Sequence, residues 1–408
     1  MRPCIATGMW IVAGMMMVLI GGAVMAVDDS AAEPVAKAAV PAAAKSPYAQ
    51  WANGPSADAN WFPIGVWAQS PGRAAKYKAI GVNLYLALHG GPTEKQLADL
   101  KAAGMRTVCS QNDVGLAHKD DPTIIGWMHG DEPDNFTKND QGKWVPKAKP
   151  DKIIADYQRI RRNDPTRPVL LNLGQGVAND SWKGGWAKAN DYVGLVKGCD
   201  IVSYDIYPVT NVRGEVAGKL ELVPLGVERL RKYGQDRKIV WFITEASHIK
   251  NAERMASPAE MRSEVWMALI RGARGIIYFC HQWEPTRDFA FPINDPATRQ
   301  AVTDINKQIT ALAPVLNSLT VAGAATADSA NKTVPIDLMV KRHGGAVYLF
   351  AAAQRKAETK AAFTVKHLPA AATAEVLGEG RTIEVKGGKF TDDFGPYAVH
   401  LYKIAASQ

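Results

Sequence analysis

The stretch Ile239-Val240-Trp241-Phe242-Ile243-Thr244-Glu245 decides the fold. Five large apolar residues and a threonine run without interruption into a glutamate. A run that is apolar at every position, not at every second one, fits a strand covered on both faces, as parallel strands between helices are. A carboxylate at the mouth of such a strand is costly to place unless something polar needs it there. The stretch Ile125-Gly126-Trp127-Met128-His129-Gly130-Asp131-Glu132-Pro133-Asp134 repeats the pattern, with acids directly behind the apolar run.

Runs of this kind recur eight times. They are Phe62–Trp67, Val82–Leu88, Arg106–Ser110, Ile125–His129, Val169–Leu173, Ile201–Ile206, Ile239–Thr244 and Gly275–Phe279. Helical segments alternate with them. Thr93–Ala103 sets Leu97 and Leu100 on one face, Lys152–Arg162 follows Asp151 as N-cap, and Ala259–Arg271 follows Ser257-Pro258. Between the third and fourth strands only 112–123 remains for a short helix. Eight strand–helix units over about 250 residues predict an α/β fold, a (β/α)8 TIM barrel over 48–317. No Gly-x-Gly-x-x-Gly or Gly-x-x-x-x-Gly-Lys-Thr/Ser loop suggests a nucleotide fold.

The last barrel helix is expected over Ala297–Leu316. Behind it the texture changes to short segments separated by turns such as His343-Gly344-Gly345 and Lys386-Gly387-Gly388. The segments are Ile336–Val340, Ala346–Ala351, Ala361–Val365, Ala374–Leu377, Thr382–Val385 and Ala398–Ile404. Residues 318–408 therefore read as a small C-terminal all-β sandwich. The link to the barrel is too short for a free tether and no exposed aromatic row is evident, so the domain reads as a structural partner.

The beginning of the chain is not fold. Arg2 precedes a fully apolar run from Ile11, and Val24-Met25-Ala26 offers small residues for cleavage, so 1–26 reads as a secretory signal peptide cut after Ala26. Sixteen apolar residues (11–26) fall short of the ~20 needed to span a bilayer. No membrane span is expected after cleavage, and the product is expected to be secreted or periplasmic. Residues 27–47, rich in Ala, Pro and Lys, read as a flexible segment.

With 48 Lys and Arg against 40 Asp and Glu the formal charge is +8, and losing Arg2 makes it +7. The excess is scattered, which suits a solvated surface and not a nucleic-acid site. Cys109, Cys199 and Cys280 lie in or beside apolar strands and read as buried core residues, not disulfides. No Cys or His pair has structural-zinc spacing, and Val66-Trp67-Ala68 stands where a metal-dependent amidohydrolase barrel wants His-x-His. No metal or other cofactor is implied. The sequence leaves the assembly state open.

In such barrels the reactive groups stand at the C-terminal ends of the strands. Here those ends carry Trp67 and Gln69, His89, Gln111 and Asn112, then His129, Asp131 and Glu132, and Asn172. The sixth strand adds Tyr204, Asp205 and Tyr207, the seventh Glu245 and His248, and the eighth His281, Gln282, Trp283 and Glu284. Aromatics, amides and carboxylates suit a carbohydrate: ring faces stack on the C–H side of a sugar, and amides and carboxylates bind its hydroxyls. A phosphate site would want Gly-rich loops and clustered Arg or Lys.

With its glutamates on the fourth and seventh strands, the chain resembles the retaining glycoside hydrolases of the (β/α)8 clan that includes families 5 and 42. Ile125-Gly126-Trp127 leading to Glu132-Pro133 is similar to the acid/base motif, Ile243-Thr244-Glu245 to the nucleophile motif, and the resemblance spans about 62–317. Val376-Leu377-Gly378 and Gly395-Pro396-Tyr397-Ala398-Val399-His400-Leu401-Tyr402 resemble the small β-domain that trails these barrels. The resemblance implies hydrolysis of a β-linked glycoside in an oligo- or polysaccharide, with Glu132 as acid/base and Glu245 as nucleophile. Alternatives are a non-catalytic carbohydrate-binding barrel and a transglycosylase using the same pair. The clan's usual Asn before the acid/base is Asp131 here. It can still bind a sugar hydroxyl, and its charge would favour a protonated Glu132. Tyr204 or Tyr207 resembles the tyrosine that holds the nucleophile's oxygen, and Trp283 a platform at the cleavage point. Trp67, Tyr207 and Trp283 are expected partly exposed in one cleft, with His89 and Asn112 on its wall.

Overall fold

A computed structural model describes residues 46–182 and 189–406. The signal peptide, its cleavage after Ala26 and nearly all of 27–47 lie outside the described residues. Eight parallel strands close a barrel: β1 (Ile64–Trp67), β2 (Leu84–Leu86), β3 (Arg106–Ser110), β4 (Ile124–Met128), β7 (Val169–Leu173), β8 (Ile201–Asp205), β9 (Ile239–Glu245) and β10 (Ile276–Phe279). Each pairs with its sequence neighbours in the barrel, and β10 closes on β1. These are the eight runs seen in the sequence, with ends shifted by one or two residues. A short hairpin, β5 (Phe136–Lys138) and β6 (Trp144–Pro146), rises from the loop after β4.

The helices are α1 (Ala74–Ala79), α2 (Glu94–Ala102), α3 (Asp113–Ala117), α4 (Pro150–Asn163), α5 (Ala189–Leu195), α6 (Leu222–Tyr233), α7 (Pro258–Ile270), α8 (Phe291–Asn294) and α9 (Pro296–Leu316). Thr93 and Ser257 start α2 and α7 through capping boxes, each side chain accepting from the third helical N–H while Gln96 or Glu260 reaches back. The phase of β9 shows how the barrel fills. Ile239, Trp241 and Ile243 point inward to Leu84, Leu86, Val108, Leu170, Ile201 and Ile277, while Val240 and Phe242 pack outward with the helices. Tyr48 enters this inner core at the barrel's N-terminal end. Its hydroxyl donates to the Arg274 carbonyl at 2.9 Å and accepts from Trp241 Nε1 at 2.9 Å.

Behind α9 come β11 (Ala325–Ser329), β12 (Ile336–His343), β13 (Ala346–Ala353), β14 (Thr359–Val365), β15 (Ala371–Val376), β16 (Arg381–Lys386), β17 (Lys389–Phe394) and β18 (Val399–Ala405). They form one antiparallel sheet, in the order β11-β14-β17-β16-β15-β18-β13-β12, curled around its own core. β13 is buried at all eight positions. Val347, Leu349, Ala351 and Ala353 face that core, whereas Tyr348, Phe350 and Ala352 face the barrel, where Phe350 stacks on Trp266 of α7 at 5.4 Å. Arg262 and Ser263 of α7 donate to the carbonyls of Val399 and Tyr397 at 2.8 Å each. Cys109, Cys199 and Cys280 are buried and unbridged. Among the described residues no helix is long and apolar enough to cross a membrane.

Candidate active site

At the C-terminal rim of the barrel several non-glycine residues take left-handed backbone: Ala68 (φ 50°) after β1, Ala87 (φ 55°) after β2, Glu132 (φ 46°) after β4 and Ile249 (φ 56°) after β9. This region is disfavoured for side chains with a Cβ, most of all β-branched ones, and such strain gathers at functional sites. At Glu132 it turns the chain so that the backbone N–H donates to Asn172 O at 3.2 Å. The side chain, 21% exposed, then lies over Gly174, where an added Cβ would meet its Oε1 at 2.7 Å. Asn135 Nδ2 donates to Oε2 at 3.0 Å, and Lys147 Nζ stands 3.9 Å away.

Three further carboxylates surround it. The amide of buried Asn172, on β7, donates to Asp131 Oδ1 at 2.9 Å and to Asp205 Oδ2 at 3.2 Å, so one amide joins the ends of β4 and β8. Ser203 Oγ fixes that amide by donating to its oxygen at 2.8 Å. Asp134 is buried and accepts from the Gly174 N–H at 2.9 Å and from Tyr192 Oη at 3.1 Å. Loss of solvent around these carboxyls is the main cause of their shifts, and their mutual charge adds to it. Asp134 is raised to about 6. Asp131 is also raised to about 6 although its surface faces the opening, because the walls of the mouth enclose it and Glu132 adds charge. Asp205 is raised well above the usual range, by burial first and then by Glu132 and Asp131. The upward shifts thus fall on the three aspartates that surround Glu132.

Glu245 sits apart from this group. It is fully buried, with Oε1 accepting from Val209 N–H at 2.7 Å and Oε2 from Thr210 N–H at 2.8 Å, both in the loop after β8. Burial raises its carboxyl, and these donors partly offset that. Behind it, on α7, stands Glu264, also fully buried. Thr244 Oγ1 donates to Glu264 Oε2 at 2.7 Å, while Oε1 is buried without a hydrogen-bond partner and Glu245 is the neighbouring charge. Two buried carboxyls in contact cannot both ionise. Burial first and Glu245 second raise Glu264 far above its ordinary range, so of the two Glu264 is the one that holds a proton.

The other expected site residues divide. Tyr207 is half-buried, packs on Phe279 at 5.2 Å and faces Asp205, Glu132, Asp131 and Glu245. Trp283 is half-buried beside Phe279, His281 and Phe289, and His89 is exposed near His281. Three residues do not reach the cleft as expected. Trp67 is only 6% exposed, because it points inward with Leu84 and Leu86 and completes the inner core. Tyr204 has the opposite strand phase from Asp205, points to the helices and donates to the Val223 carbonyl, so it cannot hold Glu245. Asn112 caps α3, with Oδ1 accepting from Gly115 N–H at 2.8 Å and Nδ2 donating to Pro92 O at 2.8 Å. Sequence reading passed over Asp134 and Glu264 as site members, and it placed Asp205 at a strand end without giving it a role. Its inward phase was legible: counting by two from inward Ile201 leads through Ser203 to Asp205.

The family model of glycoside hydrolase family 42, described as beta-galactosidase, matches residues 149–290, which is less than half of the chain. No curated protein matches. Among solved structures, a family 42 beta-galactosidase from G. stearothermophilus, as a catalytic mutant, is similar with a TM-score of 0.52 at 9% identity over 85% of this chain and 98% of that one. A protein assigned as an alpha-galactosidase from Bacteroides fragilis gives 0.50 at 9% identity, over 86% and 80%. Both share the barrel. At this identity the likeness is one of fold, and it extends across enzymes of opposite anomeric linkage. The family match and the barrel together support a glycosidase.

Proposed function

We propose that the protein hydrolyses a β-linked O-glycoside in an oligo- or polysaccharide by a retaining double displacement, with Glu132 as acid/base and Glu245 as nucleophile. The observation that carries the reading is the open, strained Glu132 among carboxylates and aromatics at the barrel's C-terminal mouth, with Glu245 on β9 beside Tyr207. Glu132 protonates the leaving oxygen and later takes a proton from the attacking water. Glu245 attacks the anomeric carbon to form the glycosyl-enzyme. Since Glu245 is fully buried beside the loop that carries Val209 and Thr210, attack requires this loop to draw back and admit the sugar. The leader at 1–26 would carry the enzyme out of the cytoplasm.

One observation favours a second reading. Asp205 is half-buried, less enclosed than the fully buried Glu245, and is tied through Asn172 to Asp131 behind β4, so it competes with Glu245 for the nucleophile's role. Trapping decides between them. A panel of 2-deoxy-2-fluoro-β-glycosyl fluorides should inactivate the enzyme, and peptide mapping should find the sugar on Glu245. A sugar on Asp205 would transfer the nucleophile's role to β8. Failure of every member to label, with no turnover of aryl β-glycosides, would leave a binding barrel.

A further inference from the structure

We propose that the rim of the cleft binds an anionic polysaccharide, stacking its rings on two aromatic walls and reading its carboxylate or sulfate groups with four cations that stand beside them. The proposal rests on the glycoside reading of the mouth and adds the class of substrate.

The first wall belongs to the β5–β6 hairpin, in the same loop that carries Glu132. Trp144, 59% exposed, meets Phe136 edge-on at 4.8 Å, and Phe136 continues to Trp182 at 6.1 Å. Lys147, at the foot of the hairpin, bonds Asp131 O at 3.3 Å and so ties the wall to the catalytic group. The second wall is Trp283 with Phe289, 5.8 Å apart and with Phe289 40% exposed. Exposed tryptophan of this kind contributes nothing to the core and leaves its face for a ligand.

Each wall has its own cations. Lys138 Nζ lies 5.1 Å from the Trp144 ring, the Arg213 guanidinium 5.1 Å from Trp182, Lys250 Nζ 5.5 Å from Trp283 and the Arg287 guanidinium 5.7 Å from Phe289. Two other cation–ring contacts occur among the described residues, and they behave differently. Arg167 beside Trp127 bonds Asp164 at 2.8 Å, and Arg161 beside Tyr157 lies 3.7 Å from Asp200. None of the four rim cations forms an ion pair with a carboxylate among the described residues. All four are exposed, so a sugar ring can displace them from the aromatic face at small cost and then meet their charge beside it.

The floor of the cleft has the opposite sign. Glu132, with Asp131 and Asp134 ionised above about pH 6, would repel an acidic ring at the cleavage point. The fitting polymer therefore carries its acidic groups on the rings that flank a neutral one.

Affinity electrophoresis of the full chain tests this, using Glu132→Gln so that polymers stay intact. Polygalacturonate supplies carboxylates, dextran sulfate supplies sulfates, and galactan and dextran are the neutral controls. We expect retardation by one acidic polymer and little by the neutral ones. Trp144→Ala should weaken the acidic binding about 3- to 10-fold, the worth of one aromatic contact. Lys138→Gln with Arg213→Gln should weaken it at least as much at low salt and hardly at 1 M NaCl. Neutral polymers binding as well as acidic ones would overturn the proposal. So would acidic binding indifferent to Trp144→Ala, since that is the mark of a net positive charge alone. Acidic binding without hydrolysis of any polymer by the unmutated chain would instead remove the glycosidase reading and leave the rim standing.

Discussion

Glu264 illustrates how one proton is placed at the scale of a residue. A fully buried carboxyl bonded to Thr244 and set beside the Glu245 carboxylate is held as the acid at neutral pH, and infrared spectroscopy sees such groups directly. The protein at pH 7 should show a protonated-carboxyl C=O band that loses one group's intensity in Glu264→Gln. An unchanged band would place the proton elsewhere. Asp134 makes a second test. Its carboxyl is raised from the ordinary aspartate value to about 6, so between about pH 4 and 6 the folded form binds more protons than the unfolded chain, and stability falls as pH rises. Asp134→Asn removes that slope. It keeps an oxygen for Gly174 N–H but loses the acceptor of Tyr192, so the gain at pH 7 should be on the order of 1–2 kcal/mol. Urea unfolding at pH 5 and pH 7 measures it, and an equal loss at both would refute the shift. Such roles are hard to read from residue type. Trp67, Tyr204 and Asn112 have the composition of a sugar site, yet they serve as core, helix anchor and cap. Strand phase separates Tyr204 from Asp205, and runs apolar at every position conceal that phase.

At the scale of elements the sequence is more open. Eight long apolar runs yield eight strands because each is buried on both faces, and the pattern survives errors of one or two residues at the ends. The elements not foreseen are those with too little pattern to detect. β5 and β6 have three residues each, while β11 (Ala-Thr-Ala-Asp-Ser) and β17 (Lys-Phe-Thr-Asp-Asp-Phe) lack large apolar residues at most positions. β13 tests the two-core reading of one strand. Phe350→Ala should cost ~3–5 kcal/mol, as buried aromatics do, and should loosen α7 behind β9 through the lost stack on Trp266. If urea unfolding reports less than about 1 kcal/mol, the face of β13 toward the barrel carries no packing of consequence.

For the whole molecule, α7 is the element on which barrel and C-terminal sheet meet. Nine of its thirteen residues are buried, because β9 covers one side and the C-terminal sheet the other. A fragment ending after Leu316 should therefore expose Trp266 and its neighbours and lose solubility, measurable as the soluble fraction on expression. A soluble, fully active fragment would show the sheet to be dispensable.

The place of β18 has a consequence in time. It lies between β13 and β15 in the sheet, yet among the described strands it is the last to be synthesised. Until the ribosome has released residues 399–405, β13 lacks one neighbour and the Val399 carbonyl is not there to receive Arg262. The helix α7 thus waits, half-clothed, until residue 405 has been made. A stop codon just before residue 399 should harm this protein nearly as much as one placed before residue 325.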